Sequence, residues 1–194
     1  MLPSRESFEF GPARFQAQAP ASELLPRGVA VTISPLNAVR APPMDIHTML
    51  DPKRIVLELR GNTKSEVLLE MIDVLGKSEG VTDANALRKA ILDREEIMST
   101  GVGLTIAVPH AKLPSVKQFT LGLARSSRGI SYDSLDGKPV HVIVMIAAPD
   151  NDQNTYLRVL AAAMHVLRNE SNRRAILAAR STDEIIAVFK KAAE

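Results

Sequence analysis

The sequence predicts an α/β fold: a three-layer α/β/α sandwich around a mixed, largely buried sheet. Three observations carry this. Strand-like and helix-like segments alternate from about residue 44 to the end of the chain. The run Val140-His141-Val142-Ile143-Val144-Met145-Ile146-Ala147 is apolar at nearly every position, so both faces of that strand need cover, which a helical layer on each side supplies. Capping motifs stand where helices should begin.

Taken in order, Ile55-Val56-Leu57-Glu58-Leu59 is a predicted strand, rich in β-branched and apolar residues. Gly61 and Asn62 turn the chain. Thr63-Lys64-Ser65-Glu66 matches a capping box, in which the threonine hydroxyl and the glutamate carboxylate satisfy orphan amides. The helix that follows places Val67, Leu68, Met71, Ile72 and Leu75 on one face. Gly80 ends this region. Thr82 or Asp83 caps a second helix running through Leu87, Ala90 and Ile91 to about Asp93. Segments 104–108, 118–124 and 140–147 are predicted strands, and Tyr156 to Leu167 an apolar-faced helix. Two short helices close the chain, the last opened by a second capping box at Ser181-Thr182-Asp183-Glu184. No internal repeat is present.

Composition shifts near Met44. Seven of the twelve prolines fall within residues 1–43, too closely spaced for a stable element between them, with only Gly28 to Ile33 able to form a short strand. Two readings stay open: a disordered or loosely attached tail, or a start site assigned upstream of a true beginning at Met44. Residues 44–194 are then a complete domain.

Among 194 residues, 45% are apolar and 24% charged, the proportions of a globular protein. A net charge of +2 gives little electrostatic case for nucleic acid. With no cysteine there is no disulfide, thiolate metal site or cysteine nucleophile. No apolar stretch approaches the roughly 20 residues that span a bilayer, and the N-terminus has no basic segment followed by an uninterrupted apolar one, so no secretory signal is expected. A cytoplasmic protein is expected.

The chemistry concentrates in Ser99-Thr100-Gly101-Val102-Gly103-Leu104-Thr105-Ile106-Ala107-Val108-Pro109-His110-Ala111-Lys112. A glycine-punctuated turn feeds a short apolar strand, and Pro109, lacking an N–H, ends it with His110 at the exit. A neutral imidazole at a rigid edge is a good nucleophile for another protein's reactive group. Backbone amides around Gly101 and Gly103 could converge as an anion nest, or the glycines could simply make a tight turn. Ser99 and Thr100 could donate hydroxyls or merely open that turn. His47, His141 and His165 have bland structural readings.

The segment Glu95 to Ala111, together with the order of elements from about Asp45 to Ala193, resembles the type-2 enzyme IIA domain of the bacterial phosphotransferase system. That class holds fructose, mannitol and nitrogen-regulatory members. Glu95, Val102-Gly103, Ile106-Ala107-Val108-Pro109-His110 and Ala111 fall at the family's spacing. The resemblance implies that His110 accepts a phosphoryl group from the phosphohistidine of the carrier HPr or a paralogue. It implies that the group is then held, or passed to an enzyme IIB domain or sensed by a regulatory target. It assigns Arg94, of the family's Arg-Glu pair, to the phosphoryl oxygens, which a guanidinium fork suits; a solvated arginine in a charge run is the alternative. Thr100, Gly101, Gly103 and Tyr156 are supporting candidates. Neither metal nor cofactor is required. Tyr156 stands where strongly phosphotransferring members carry a second histidine, and its hydroxyl can donate but brings no positive charge. Leu104-Thr105 and Ala111 replace more usual Asn-Gly and Gly.

No membrane segment or fused IIB domain is apparent, which favours a regulatory role over that of a sugar-permease component. The alternative is a non-catalytic binding module that keeps the fold with weak or lost phosphotransfer. A metabolic enzyme using His110 as general base ranks below both, since no partner acid, Walker loop or dinucleotide fingerprint accompanies it. Val108, Leu113 and Phe119 are candidates for a partner-docking face around His110, or are ordinary core.

Overall fold

The computed structural model describes residues 44–192. The expectations for residues 1–43, including a strand at Gly28 to Ile33, lie outside the described residues.

A 3-10 turn at Ile46–Met49 leads into β1 (Leu50–Val56). Helices α1 (Lys64–Gly76) and α2 (Ala84–Ile97) follow, then three short strands: β2 (Gly101–Gly103), β3 (Ile106–Ala107) and β4 (His110–Lys112). The long strands β5 (Thr120–Ile130) and β6 (Val140–Ala148) come next. Helices α3 (Gln153–Arg168), α4 (Glu170–Ala178) and α5 (Thr182–Lys191) complete the fold. The sheet order is β1-β5-β6-β3-β2, with β4 also on β6. Pairings β1–β5, β3–β6 and β4–β6 are parallel, β5–β6 and β2–β3 antiparallel. The sheet is therefore mixed, as predicted.

The apolar run of β6 explains the layers. Ile143, Met145 and Ala147 pack with Val67, Met71, Leu75, Leu87 and Ile91 of α1 and α2. Val142, Val144 and Ile146 pack on the other face with Val159, Ala163, Ile176, Ile185 and Phe189 of α3, α4 and α5. Alternation along the strand sends successive side chains into different cores.

Helix starts follow the sequence closely. Thr63 Oγ1 accepts from the Glu66 amide at 3.3 Å, and Glu66 Oε2 accepts from the Thr63 amide at 3.1 Å, a complete capping box. Asp83, not Thr82, caps α2, and Asp152 caps α3. At α5 only half the expected box forms: Ser181 accepts from the Glu184 amide, while the Glu184 carboxylate takes the Arg180 amide instead.

Several boundaries differ. The first strand begins at Leu50 and leaves the ladder after Val56, since Pro52 is tolerated on an edge strand with a register shift. Strand β5 continues through polar Ser126, Ser127 and Arg128 to Ile130, because a shift between Arg125 and Ile130 keeps it paired with β6. Helix α2 runs to Ile97, which puts Arg94 and Glu95 in its last turn.

The predicted strand 104–108 is instead a hairpin. Leu104 (φ 56°) and Thr105 (φ 66°) form the two-residue turn between β2 and β3, the conformation that Asn-Gly adopts most easily. Nor does Pro109 end the ladder. It lacks an N–H, but its carbonyl accepts from the Ile146 amide at 3.0 Å, so pairing resumes at His110 opposite Ile146.

Candidate functional site

His110 opens β4 with its side chain half-buried, on the face opposite its neighbour Ala111, which belongs to the α1–α2 core. Its ring therefore faces α3, where the Tyr156 ring lies tilted with centroids 6.0 Å apart. His110 Nδ1 is 2.6 Å from the Val108 carbonyl oxygen. A carbonyl only accepts, so Nδ1 carries the proton and Nε2 keeps its lone pair. Burial pushes the imidazole below its ordinary value. The charge of Arg94 adds to this, while the bond to Val108 and the charge of Glu95 oppose it. The neutral ring is thus the resident form near pH 7.

Arg94, in the last turn of α2, donates from Nη1 to the Met98 carbonyl at 3.0 Å, closing the helix end. Its charge acts on both His110 and Tyr156. Burial raises the Tyr156 hydroxyl, against the pull of Arg94, so the group stays protonated. Lys112, two residues along β4 on the same face as His110, brings its Nζ 5.2 Å from the Tyr156 ring centroid and bonds the Gln153 side-chain oxygen. Cations thus flank the tyrosine although it bears no charge itself.

The remaining candidates are placed differently. Thr100 is buried and turns inward, away from a role as donor at His110: its hydroxyl donates to Glu95 Oε2 at 2.5 Å and its amide to Glu95 Oε1 at 2.9 Å. The Gly101 amide donates to Ser99 Oγ at 3.2 Å, and the Leu104 amide to Asp136 Oδ2 at 3.0 Å. The glycines serve the hairpin: Gly103 has φ +84°, and a Cβ on Gly101 would stand 2.9 Å from Ser134 Cα. His141 lies apart, bonded to the Ser126 carbonyl.

The sequence placed Glu95 only as part of a spacing and did not join it to Thr100 or to Lys64. Glu95 is 7% exposed. Its Oε1 also accepts from Lys64 Nζ at 2.8 Å, and Lys64 sits 5.0 Å from the Tyr132 ring centroid. The Tyr132 hydroxyl, 3.3 Å from Thr100 Oγ1, is pushed far up by burial and keeps its proton, and because the Thr100 hydroxyl donates to Glu95 the phenol is the donor of this pair. A lysine in the first turn of a helix and a tyrosine beyond a strand carry no local sign of this meeting.

Val108 and Leu113 are core, and Phe119 is partly buried against the α3–α5 core. Exposed apolar side chains follow the site residues in sequence: Ile97 (79%) and Met98 (62%) after Arg94, and Leu157 (53%) after Tyr156. Among the described residues no three His, Asp or Glu side chains converge as metal ligands would, and no helix is long and apolar enough to cross a membrane.

This fold and this histidine define the class: a type-2 enzyme IIA domain. The profile of the family described as phosphoenolpyruvate-dependent sugar phosphotransferase system, EIIA 2, matches residues 48–192, and the chain belongs to that family. It is similar to the PTS system fructose-specific EIIABC component of Bacillus subtilis, 39% identical over 148 residues, covering 76% of this chain but 23% of that protein. It is also similar to the nitrogen regulatory protein of Bradyrhizobium diazoefficiens, 30% identical over 146 residues, 75% of this chain and 95% of that one. The chain thus spans about a quarter of the first relative and nearly all of the second. Among solved structures, the nitrogen regulatory protein IIA-Ntr of Neisseria meningitidis matches with a TM-score of 0.70 and 28% identity, covering 74% of this chain and 98% of that one.

Proposed function

We propose that this protein is a cytoplasmic phosphocarrier that accepts a phosphoryl group from an HPr-like donor on Nε2 of His110, in a regulatory role more than as a dedicated sugar-transport subunit. The observation that carries the reading is the bond from His110 Nδ1 to the Val108 carbonyl, which leaves Nε2 as the free nucleophile. In the transfer, the Nε2 lone pair attacks phosphorus while the donor's P–N bond breaks and its electron pair returns to the donor imidazole. The His110 proton stays on Nδ1. Charge on the equatorial oxygens calls for positioning and cations more than for acid–base chemistry, and Arg94 is the cation whose field reaches His110. Exposed Ile97, Met98 and Leu157, next in sequence to Arg94 and Tyr156, are the apolar side chains proposed to meet the donor.

The test is intact mass of the full chain after mixing with enzyme I, HPr and phosphoenolpyruvate, beside His110→Ala. One acid-labile phosphoryl group on the parent and none on the variant is the expected result. A charged HPr that leaves the parent unmodified would sink the proposal. Adding an enzyme IIB domain then separates the two uses: discharge onto IIB marks a relay, while a retained phosphoryl group marks a regulator.

One observation favours a second reading, a binding module with weak or lost phosphotransfer: Tyr156 stays neutral beside His110 and cannot match a second histidine's charge. In that case the protein binds its target equally well before and after exposure to phosphorylated HPr.

A further inference from the structure

We propose that Glu95 is a positioning residue for phosphoryl transfer, locking the end of α2 through Thr100 to the Val108 segment that leads into His110, so that Nε2 stays the free ring nitrogen. The inference rests on His110 being the phosphoryl acceptor and adds to that reading a residue that never meets the phosphoryl group.

The connection is a continuous chain of hydrogen bonds. Glu95 accepts from the Thr100 amide and hydroxyl at 2.9 and 2.5 Å. The Thr100 carbonyl accepts from the Val108 amide at 3.0 Å. The Val108 carbonyl accepts from His110 Nδ1 at 2.6 Å. Val108 is thus held at its N–H by the segment that Glu95 grips, and its C=O selects the histidine tautomer. Pro109 is pinned next to it through the Ile146 amide. From its other side, Glu95 belongs to the same helical turn as Arg94, so one buried carboxylate sets both the cation and the nucleophile.

The cost of this arrangement argues that it is not there for stability. A buried carboxylate must be paired and fully bonded, and a buried ion pair replaced by well-packed apolar groups is often neutral or stabilising. Glu95 is nevertheless buried, with Lys64 Nζ at 2.8 Å as its counter-charge. Lys64 is steadied in turn by Ser99 Oγ at 3.3 Å and Asp133 at 3.5 Å, and Thr100 Oγ1 by the Tyr132 hydroxyl at 3.3 Å. Three segments distant in sequence are tied at one point, from which backbone hydrogen bonds lead through Val108 to His110. An apolar core residue would fill the space but would specify no direction for the Thr100 backbone.

The experiment uses the full chain labelled with nitrogen-15 histidine and the variants Glu95→Gln, Thr100→Val and Thr100→Ser. Ring nitrogen shifts above pH 8 report the tautomer without any phosphoryl donor. The parent and Thr100→Ser should show His110 protonated on Nδ1, whereas Thr100→Val and Glu95→Gln should show a mixture of tautomers. The same two variants should lose about tenfold in the maximal rate of phosphorylation by phosphorylated HPr, with half-saturation by the donor unchanged, as expected of a group acting only on the transfer step. Thr100→Val keeps the Lys64–Glu95 pair, so the test survives if Glu95→Gln fails to fold. A folded Thr100→Val protein with a parental tautomer or a parental rate overturns the proposal. A parent that takes no phosphoryl group overturns the phosphocarrier reading and this role with it, while the tautomer result still decides whether Glu95 orders the ring.

Discussion

His110 Nδ1 lies 2.6 Å from the carbonyl oxygen of Val108, two residues earlier in the chain. This contact aims the histidine: it commits the ring proton to Nδ1 and leaves Nε2 for chemistry.

The pH dependence follows. Burial, then the charge of Arg94, holds the His110 imidazole below its ordinary value of 6.5. As pH falls the unfolded chain takes up this proton first, so the stability His110 contributes is complete above about pH 6.5. It is lost as the pH descends toward the lower folded-state value. Proton NMR of the His110 ring should give a midpoint below 6.5. The acid limb of the phosphorylation rate should lie at that same midpoint, since only the neutral ring is nucleophilic.

Arg94→Gln removes the guanidinium whose field reaches both His110 and Tyr156. The phosphorylation rate should fall about a hundredfold, the usual consequence of losing one charge-stabilising donor. Thermal stability should change by less than about 1 kcal/mol, because the side chain otherwise makes one bond at a helix end. A rate within threefold of the parent would remove Arg94 from the site.

Tyr156→His places an imidazole where the Tyr156 ring now lies 6.0 Å, centroid to centroid, from the His110 ring. The phosphorylated form should live longer at pH 6, where the new imidazole is largely charged, and gain little at pH 8. Following loss of the phosphoryl group by intact mass at the two pH values checks both sign and cause.

Ile97→Ser and Leu157→Ser remove apolar surface from side chains that are 79% and 53% exposed. Neither should move Tm by more than a degree or two, as surface changes rarely do. Together they should raise the donor concentration for half-maximal phosphorylation about tenfold, leaving the maximal rate unaltered. Measuring the rate against HPr concentration separates the two effects.

Leu104 and Thr105 occupy left-handed backbone at φ 56° and 66° in the β2–β3 turn. A β-branched residue there is strained. Replacing the pair by Asn-Gly should stabilise the protein by about 1 kcal/mol or more, read as a higher urea midpoint with an unchanged slope. The sequence places this pair at the start of a predicted strand, since strand propensity does not show where a chain reverses.

Much of the fold was legible because its signals are local. The Thr63–Glu66 capping box, the apolar face of α1 and the two-sided apolarity of β6 each lie within one segment, and all form as expected. Segment ends were less legible because neighbours decide them. Helix α2 extends to Ile97 since Glu95 finds buried partners beyond the helix, and β5 carries polar residues since β6 holds them. Val108 and Leu113, possible surface by their position near His110, are core because the sheet is covered on both sides there.

The sequence by itself determined the class of fold and the identity of the acceptor candidate, because periodicity, capping and the Pro109-His110 context are properties of contiguous residues. Only the tertiary structure decided which nitrogen of His110 is free and that Thr100 turns inward to Glu95. It also decided that Lys64 meets Glu95 and Tyr132 meets Thr100, and that Ile97 and Leu157 are exposed. Val108 and His110 are two residues apart and Glu95 and Thr100 five, but which of their groups meet depends on how the surrounding chain bends them together; Lys64 and Tyr132 reach the same point from segments about thirty residues away. Those distances are set when the two helical layers close on the sheet.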